Sequence, residues 1–228
     1  MNNVQFNVIL TGATGMVGEG VLKECLDDPR IGTVLSLARR HGSRTHPKLK
    51  ELVVPDLRNL SAVKDQLHGY DICFYCLGTT SMGKTEEQYT EVTFGLTMSI
   101  ATALSQQNPG MIFSYLSALG ADNTEKGRVM WARIKGRTEN ALGHLRFGHF
   151  YAFRPQLLTP NKHAASTHAF YNYISWVFPI GRLLFPNSFC TLQELAKSMI
   201  NASISGFPKN VITPIDMVKL AKQIPSEM

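Results

Sequence analysis

The sequence predicts an α/β fold built on a doubly wound parallel sheet, and three observations carry that expectation. Nearly continuous apolar runs alternate with segments whose apolar residues recur at helical spacing, the βαβα pattern of a sheet covered on both faces. The first run is followed at once by Thr11-Gly12-Ala13-Thr14-Gly15-Met16-Val17-Gly18 and then by a helical pattern. The chain has 228 residues, 44% hydrophobic and 18% charged, which suits one ordinary globular domain with a substantial core. We read residues 1–228 as that single domain, with 156–190 as a lid segment within it.

Taken in order, Val4 to Leu10 reads as the first buried strand. Glu19 to Leu26 reads as a helix with Val21, Leu22 and Cys25 on one face. Gly32 to Ala38 is the second strand and ends in Arg39-Arg40. His41 to Lys50 is polar and holds Pro47, so it reads as a loop. Leu52-Val53-Val54 is a third strand, followed by Pro55-Asp56-Leu57. Leu60 to Leu67 has helical spacing, and Asp71 to Leu77 is a fourth strand delivering Gly78-Thr79-Thr80. Glu86 to Leu104 reads as a helix, with Val92, Leu96, Ile100 and Leu104 in phase. Met111 to Leu116 is a fifth strand delivering Ser117-Ala118-Leu119-Gly120. Arg128 to Leu145 is a long helix, and His149 to Phe153 is a sixth strand closed by Arg154-Pro155.

The pattern then breaks. Seven aromatic residues from Phe170 to Phe189, with Pro160, Pro179 and Pro186 nearby, read either as a cap over the sheet's C-terminal edge or as core that buries it. One helix is expected there, from His168 to Val177. Thr191-Leu192-Gln193-Glu194 is a capping box opening a helix through Ile204, with Gly206 as its stop. Asn210 to Ile212 is a short strand, and Thr213-Pro214 opens the last helix.

The glycine stretch has a physical reading as a dinucleotide-binding loop in a Rossmann-type sheet. Gly12 permits a turn that a Cβ would obstruct. Gly15 lets the backbone approach a pyrophosphate, and Gly18 lets the helix pack on the strand. The first-turn N–H groups around Met16 and Val17, at the positive end of the helix, face the phosphates. Thr11 and Thr14 offer hydroxyls that cap the loop or donate to phosphate oxygens. At the second strand end an acidic residue would accept from the ribose hydroxyls of NAD; Arg39 and Arg40 stand there instead. Guanidinium groups pair with a 2′-phosphate, so NADP(H) is expected over NAD(H). The alternative for the two arginines is a solvated basic turn. Asp56 can accept from an adenine amino group while Leu57 covers the ring, or it can simply shape a turn. Leu77, Gly78 and Thr79 stand at a strand end where open parallel sheets bind ligands.

Other classes are disfavoured. Net charge is +6, but the basic residues are scattered without an aromatic–basic platform, so nucleic acid is not expected as a partner. Cys25, Cys73, Cys76 and Cys190 make no secreted disulfide framework, and Cys73-Phe74-Tyr75-Cys76 lies in an apolar strand, so it reads as core. No apolar run is long enough to span a bilayer. No secretory n-region is seen, and a cytoplasmic location is expected. The histidines lack metal-ligand spacing.

At Gly12 to Gly18, Ser117 and Lys135 the chain resembles the short-chain dehydrogenase/reductase superfamily. It is most similar to the atypical, extended-type branch that includes Tat-interacting-protein-like and epimerase/dehydratase-domain proteins. The resemblance spans Gly78-Thr79-Thr80, Ser117 to Gly120, Trp131 to Glu139, Arg154-Pro155 and the C-terminal helices. It implies that Ser117 polarises a substrate carbonyl, that Lys135 holds the nicotinamide ribose, and that Arg154 lies among the cofactor contacts. It also implies an acid/base tyrosine four residues before Lys135, and that position is Trp131. An indole N–H does not titrate, so Trp131 can stack on or orient a ligand but cannot relay a proton as a phenol does. Tyr115, Lys84 or water are the candidate substitutes. The expectation is an NADP(H)-binding oxidoreductase with weakened proton transfer, or alternatively a cofactor-sensing protein without turnover. Its substrate would be a small molecule, apolar or planar if the aromatic segment lines the site. The resemblance also implies a homodimer face on the helix after the fifth strand.

Overall fold

A computed structural model describes residues 5–159 and 189–223 of the chain. Seven parallel strands form the main sheet, in spatial order β3-β2-β1-β4-β5-β6-β9. They are β1 (Phe6–Thr11), β2 (Ile31–Ala38), β3 (Leu49–Val53), β4 (Ile72–Tyr75), β5 (Ile112–Leu116), β6 (His149–Phe153) and β9 (Val211–Ile212). The order reverses beside β1, so the C-terminal ends of β1 and β4 frame the crevice where such sheets hold ligands. Two further strands, β7 (Leu157–Thr159) and β8 (Phe189–Thr191), pair in parallel as a separate small sheet.

Helix α1 (Met16–Asp27) joins β1 to β2. Helices α2 (Glu86–Thr90) and α3 (Thr97–Gln107) join β4 to β5, with a π-helical stretch, Glu91–Leu96, between them. Helix α4 (Met130–Gly143) joins β5 to β6. Helices α5 (Leu192–Ser205) and α6 (Pro214–Ala221) complete the chain.

Two apolar clusters fill the two faces of the sheet. One joins Val8, Leu10, Phe74 and Phe153 to Val21 and Cys25 of α1 and to Leu195 and Met199 of α5. The other joins Ile9, Tyr75, Phe113 and Tyr115 to Ile100 and Leu104 of α3. Successive residues of a strand thus go to opposite cores, which is why the strands read as unbroken apolar runs. All four cysteines are buried, and burial pushes the Cys76 thiol up to about 12. The Cys-x-x-Cys stretch is therefore packing, as expected from its strand setting.

Among the described residues the predicted elements are present, with four differences. The stretch from Ser61–Leu67 is a 3-10 helix rather than an α-helix. Its ends are pinned by buried Leu60 and Leu67, and the tighter winding still turns Val63 toward the core. Strand β3 starts three residues earlier than its apolar core suggests, because the exposed Lys50 and Glu51 still pair along β2 at the sheet edge. The helix expected from residue 86 is one body with a π-helical middle, a form that spacing alone does not reveal. Strands β7 and β8 lie at the two ends of the segment expected to be a lid. The lid's expected helix, 168–177, and most of its aromatic residues lie outside the described residues. The Thr191–Glu194 capping box is present, Gly206 ends α5 at φ +76°, and Pro214 occupies the first turn of α6.

Candidate active site

The three loop glycines do three different jobs. Gly12 has φ +73°, and a Cβ on it would stand 2.8 Å from the Cys76 carbonyl carbon and oxygen. A Cβ on Gly18 would stand 2.0 Å from the Gly12 carbonyl oxygen, so the start of α1 rests directly on the loop. Gly15 is different. Its φ is −86°, and the nearest contact for an added Cβ is 3.4 Å. Neither strain nor crowding within the protein accounts for a glycine there; the missing side chain leaves an open cradle. Gly15 is also the N-cap of α1, and no side chain caps it. The helix start therefore offers N–H groups outward. Thr14 beside it is exposed. The buried Thr11 hydroxyl instead accepts from the Cys76 N–H at 3.2 Å, tying β1 to the end of β4, so its role is in the scaffold and not at a phosphate.

Arg39 and Arg40 are exposed at the end of β2, and neither makes an ion pair among the described residues. The adjoining loop folds back through Glu51, whose carboxylate accepts from Gly42 N–H at 2.7 Å and meets the His41 ring at 2.9 Å. A groove of about 470 Å³ runs between this loop and the glycine stretch, past Ala13, Thr14, Ser43 and Arg44. Asp56 accepts from the Arg58 N–H at 3.0 Å, shaping its own turn. Leu57 is turned into the core, so it does not present a side chain toward the groove. At the end of β4, Leu77 and Thr79 are half-buried. Gly78 is exposed, with no atom within 4 Å of an added Cβ.

Strand β5 and helix α4 build the chemical end. Ser117 donates its N–H to the Phe153 carbonyl at 2.7 Å, and Leu119 donates to the Pro155 carbonyl at 2.9 Å. The loop after β5 is thus stitched to the end of β6. Helix α4 lies against this loop because residue 136 is glycine: a Cβ there would stand 1.8 Å from the Asp122 carbonyl oxygen. Trp131, Lys135 and Glu139 recur every four residues on α4, so they share one face. The Trp131 ring lies on the same loop, 3.3 Å from where a Cβ on Gly120 would be. The Lys135 ammonium donates to the Leu116 carbonyl at 3.4 Å and sits 5.3 Å from the centre of the Tyr115 ring. Burial pulls its pKa down to about 8, against the opposing pull of Glu139.

Glu139 gives no signal in the sequence alone, where a glutamate on a long helix reads as a solvated charge. It is 3% exposed. Its Oε1 accepts from the Ser117 hydroxyl and from Arg154 Nε at 3.0 Å. Its Oε2 accepts from Arg154 Nη2 at 2.5 Å and from Asn123 Nδ2 at 3.1 Å. Asn123 Oδ1 in turn accepts from Arg154. Two expectations change. Arg154 is spent on Glu139 and Asn123 rather than held ready for a cofactor. Ser117 follows the Leu116 carbonyl that Lys135 reaches, and its hydrogen goes to Glu139. The one sequence signal was position: Glu139 follows Lys135 by one turn, and Arg154 closes the neighbouring strand. Tyr115 is 1% exposed and burial raises its phenol, so it packs in the core and does not replace a catalytic phenol. Among the described residues no group of His, Cys, Asp and Glu could hold a metal, and no helix is long and apolar enough to cross a membrane.

Comparison with known proteins agrees with this architecture. "Protein FMP52, mitochondrial" of Candida albicans is 25% identical over 232 residues, 96% of this chain and 99% of that protein. "Protein HTATIP2" of Rattus norvegicus is 27% identical over 155 residues, 67% of this chain and 62% of that protein. A short chain dehydrogenase from Burkholderia cenocepacia, solved in complex with NADP, superposes with a TM-score of 0.65 at 14% identity, covering 92% of this chain and 88% of the other. The expected cytoplasmic location is overturned by the first of these, since FMP52 is named mitochondrial. The NAD dependent epimerase/dehydratase family matches residues 8–127, from inside β1 to the loop before α4. That match spans more than half of the chain, so the chain belongs to that family.

Proposed function

We propose that the protein binds NADP(H) and acts as an oxidoreductase of the atypical short-chain dehydrogenase/reductase kind, with Trp131 standing where a catalytic tyrosine is expected. The observation that carries cofactor binding is Gly15. Its missing side chain has no reason inside the protein, and it borders a helix start that no side chain caps. A pyrophosphate fills such a cradle. Gly12, Thr14, Gly15, Met16, Val17 and Gly18 would hold it, Leu77, Gly78 and Thr79 would border the nicotinamide half, and Asp56 the adenine. When bound, the nicotinamide supplies a hydride acceptor or donor. Arg39 and Arg40 favour the phosphorylated form because they are exposed cations at the ribose end, where a carboxylate would repel a 2′-phosphate. The similar solved structures include complexes with NADP and with NAD, which supports a nicotinamide dinucleotide and leaves the preference to the two arginines.

Lys135 and Ser117 then line the reacting end, and Trp131 covers the loop between them. An indole does not titrate, so position 131 contributes no phenol to move a proton at the substrate oxygen. This favours slow turnover, and equally a protein that senses the NADP(H) pool without turnover. The names of the FMP52 relatives support a mitochondrial setting for either. Fluorescence titration with NADPH and NADH tests the reading. Tighter binding of NADPH supports it, and failure of both to bind sinks it.

A further inference from the structure

We propose that the cavity at the C-terminal end of α1 is a second ligand site, which takes a small zwitterion with its ammonium against Glu24 and its carboxylate against Lys197 and Lys222. The site is separate from the dinucleotide groove and does not depend on it. Helix α1 runs 12 residues from the glycine loop, about 18 Å at 1.5 Å per residue, and ends where β2 begins. There α1, α5 and the end of α6 border a cavity of about 430 Å³, lined by Glu24, Arg30, Lys197, Asn201 and Lys222 among others.

Glu24 carries the inference. It is 7% exposed, and burying a carboxylate is costly unless donors match its oxygens. Oε1 accepts from Gln193 Nε2 at 3.1 Å, and Oε2 has no donor among the described residues. An amide is a neutral partner, so the charge itself is unmatched. Glu24 also stands in the last turn of α1, where the negative end of the helix adds to the carboxylate, and that turn holds no basic residue. The acids beside it are matched. Asp27 pairs with Lys23 at 2.7 Å, and Arg30 grips Asp28 through Nε at 2.9 Å and Nη2 at 2.6 Å. Glu24 is the carboxylate of this group left for a cation.

The opposite wall fits the other end of such a ligand. Lys197 follows Gln193 by one turn of α5, so the two share a face. Lys222 closes α6. Both border the cavity, yet among the described residues neither forms an ion pair with Glu24. On their own the two lysines would be ordinary solvated charges; the buried Glu24 across the cavity makes the lining a site. Two ammonium groups and one carboxylate thus line one space without meeting, and a molecule carrying both charges spans it with charge-assisted hydrogen bonds. The wall between them is set in advance. Asn201, 5% exposed, accepts from Arg30 Nη2 at 2.8 Å and donates to the Leu220 carbonyl at 2.8 Å. It ties the entry of β2 to the end of α6, giving a preformed pocket with a few placed polar groups.

Calorimetric titration of the cofactor-free protein tests this, so its failure is separable from failure of NADPH to bind. The probes are 4-aminobutanoate and 6-aminohexanoate, with hexanoate and hexylamine as controls that each carry one of the two charges. At least one zwitterion should bind about tenfold or more tighter than either control, because only it satisfies both walls. Glu24→Gln keeps the shape of the side chain and removes its charge, and it should weaken that binding by about tenfold or more. Lys197→Ala, at an exposed position, should do the same and keeps the test decisive if Glu24→Gln folds poorly. Absence of binding by both zwitterions overturns the proposal. So does binding that survives either substitution, or hexanoate that binds as tightly as the zwitterion.

Discussion

Arg154 grips Glu139 with two parallel hydrogen bonds, Nε to Oε1 at 3.0 Å and Nη2 to Oε2 at 2.5 Å. The pair spans from the end of β6 to the third turn of α4, and both side chains are largely buried, at 14% and 2% exposure. It therefore clamps the helix that carries Lys135 to the loop that carries Ser117. A buried pair of this geometry gains little over an apolar replacement, but breaking it leaves a buried charge without a partner. Arg154→Met should cost about 3 kcal/mol in urea unfolding. The double variant Arg154→Met/Glu139→Leu should recover most of that loss. A single variant as stable as wild type would show that the clamp carries no weight.

The glycines separate fold from cofactor. Gly18→Ala forces a Cβ against the Gly12 carbonyl oxygen and should destabilise the protein by about 1–3 kcal/mol, as overpacking does. Gly15→Ala meets nothing closer than 3.4 Å at an unstrained φ. It should leave thermal stability within about 0.5 kcal/mol yet weaken NADPH by about tenfold, roughly 1.4 kcal/mol. Equal losses of stability for the two variants would count against the Gly15 cradle as a ligand site.

Much of this was readable from the residues alone, and the exceptions share a cause. Strands β1, β4 and β5 announce themselves because both their faces are buried, so local composition reports tertiary position. The glycine loop is readable because turn chemistry is local. Glu139 is not readable that way: what buries it is Arg154, 15 residues on, together with Ser117 from the loop after β5. Gly136 is similar, since only the approach of Asp122 explains it. The π-helical Glu91–Leu96 keeps the apolar order of an α-helix while shifting its hydrogen bonds. Chemistry at this site is set by long-range partners, whereas the fold is set by patterns that each segment carries itself.

Lys135 gives a pH signature. Its pKa in the fold is about 8, below the ordinary 10.5, because burial disfavours the ammonium. The unfolded chain thus binds the proton more tightly. The cost of keeping Lys135 charged is fully present below about pH 8 and is relieved as pH rises from about 8 toward 10.5. Lys135→Met should remove this cost. The variant should be more stable than wild type at pH 7, by an amount on the order of 1–3 kcal/mol, and the gap should close by pH 10. Chemical denaturation across that range checks it, and a gap that widens with pH would contradict the buried ammonium.

Arg39 should decide between the two cofactors. It is an exposed cation on the end of β2, so Arg39→Ala should weaken NADPH by about tenfold or more through loss of a charge-assisted pair and leave NADH nearly unchanged. Because the contact is electrostatic and exposed, the wild-type preference should also shrink as salt rises. A loss shared by both cofactors would assign Arg39 to the loop and not to a 2′-phosphate.

Trp131→Tyr is the last and sharpest test, because it separates a competent scaffold from a missing acid. Residue 131 shares a face of α4 with Lys135, one turn away, and its ring already lies on the Ser117–Gly120 loop. A phenol there would stand one helical turn from the Lys135 ammonium, which with a pKa of about 8 is still charged at neutral pH. The neighbouring positive charge would in turn lower the phenol's pKa. A positioned acid contributes about 10²–10⁴ in rate, so Trp131→Tyr should raise NADPH-dependent reduction of carbonyl probes by a readily measured factor. The reduction should depend on Lys135 and disappear in Trp131→Phe. If Trp131→Tyr binds NADPH as wild type does and still reduces nothing, the missing acid is not the obstacle and the assignment of Trp131 and Lys135 to the reacting end fails.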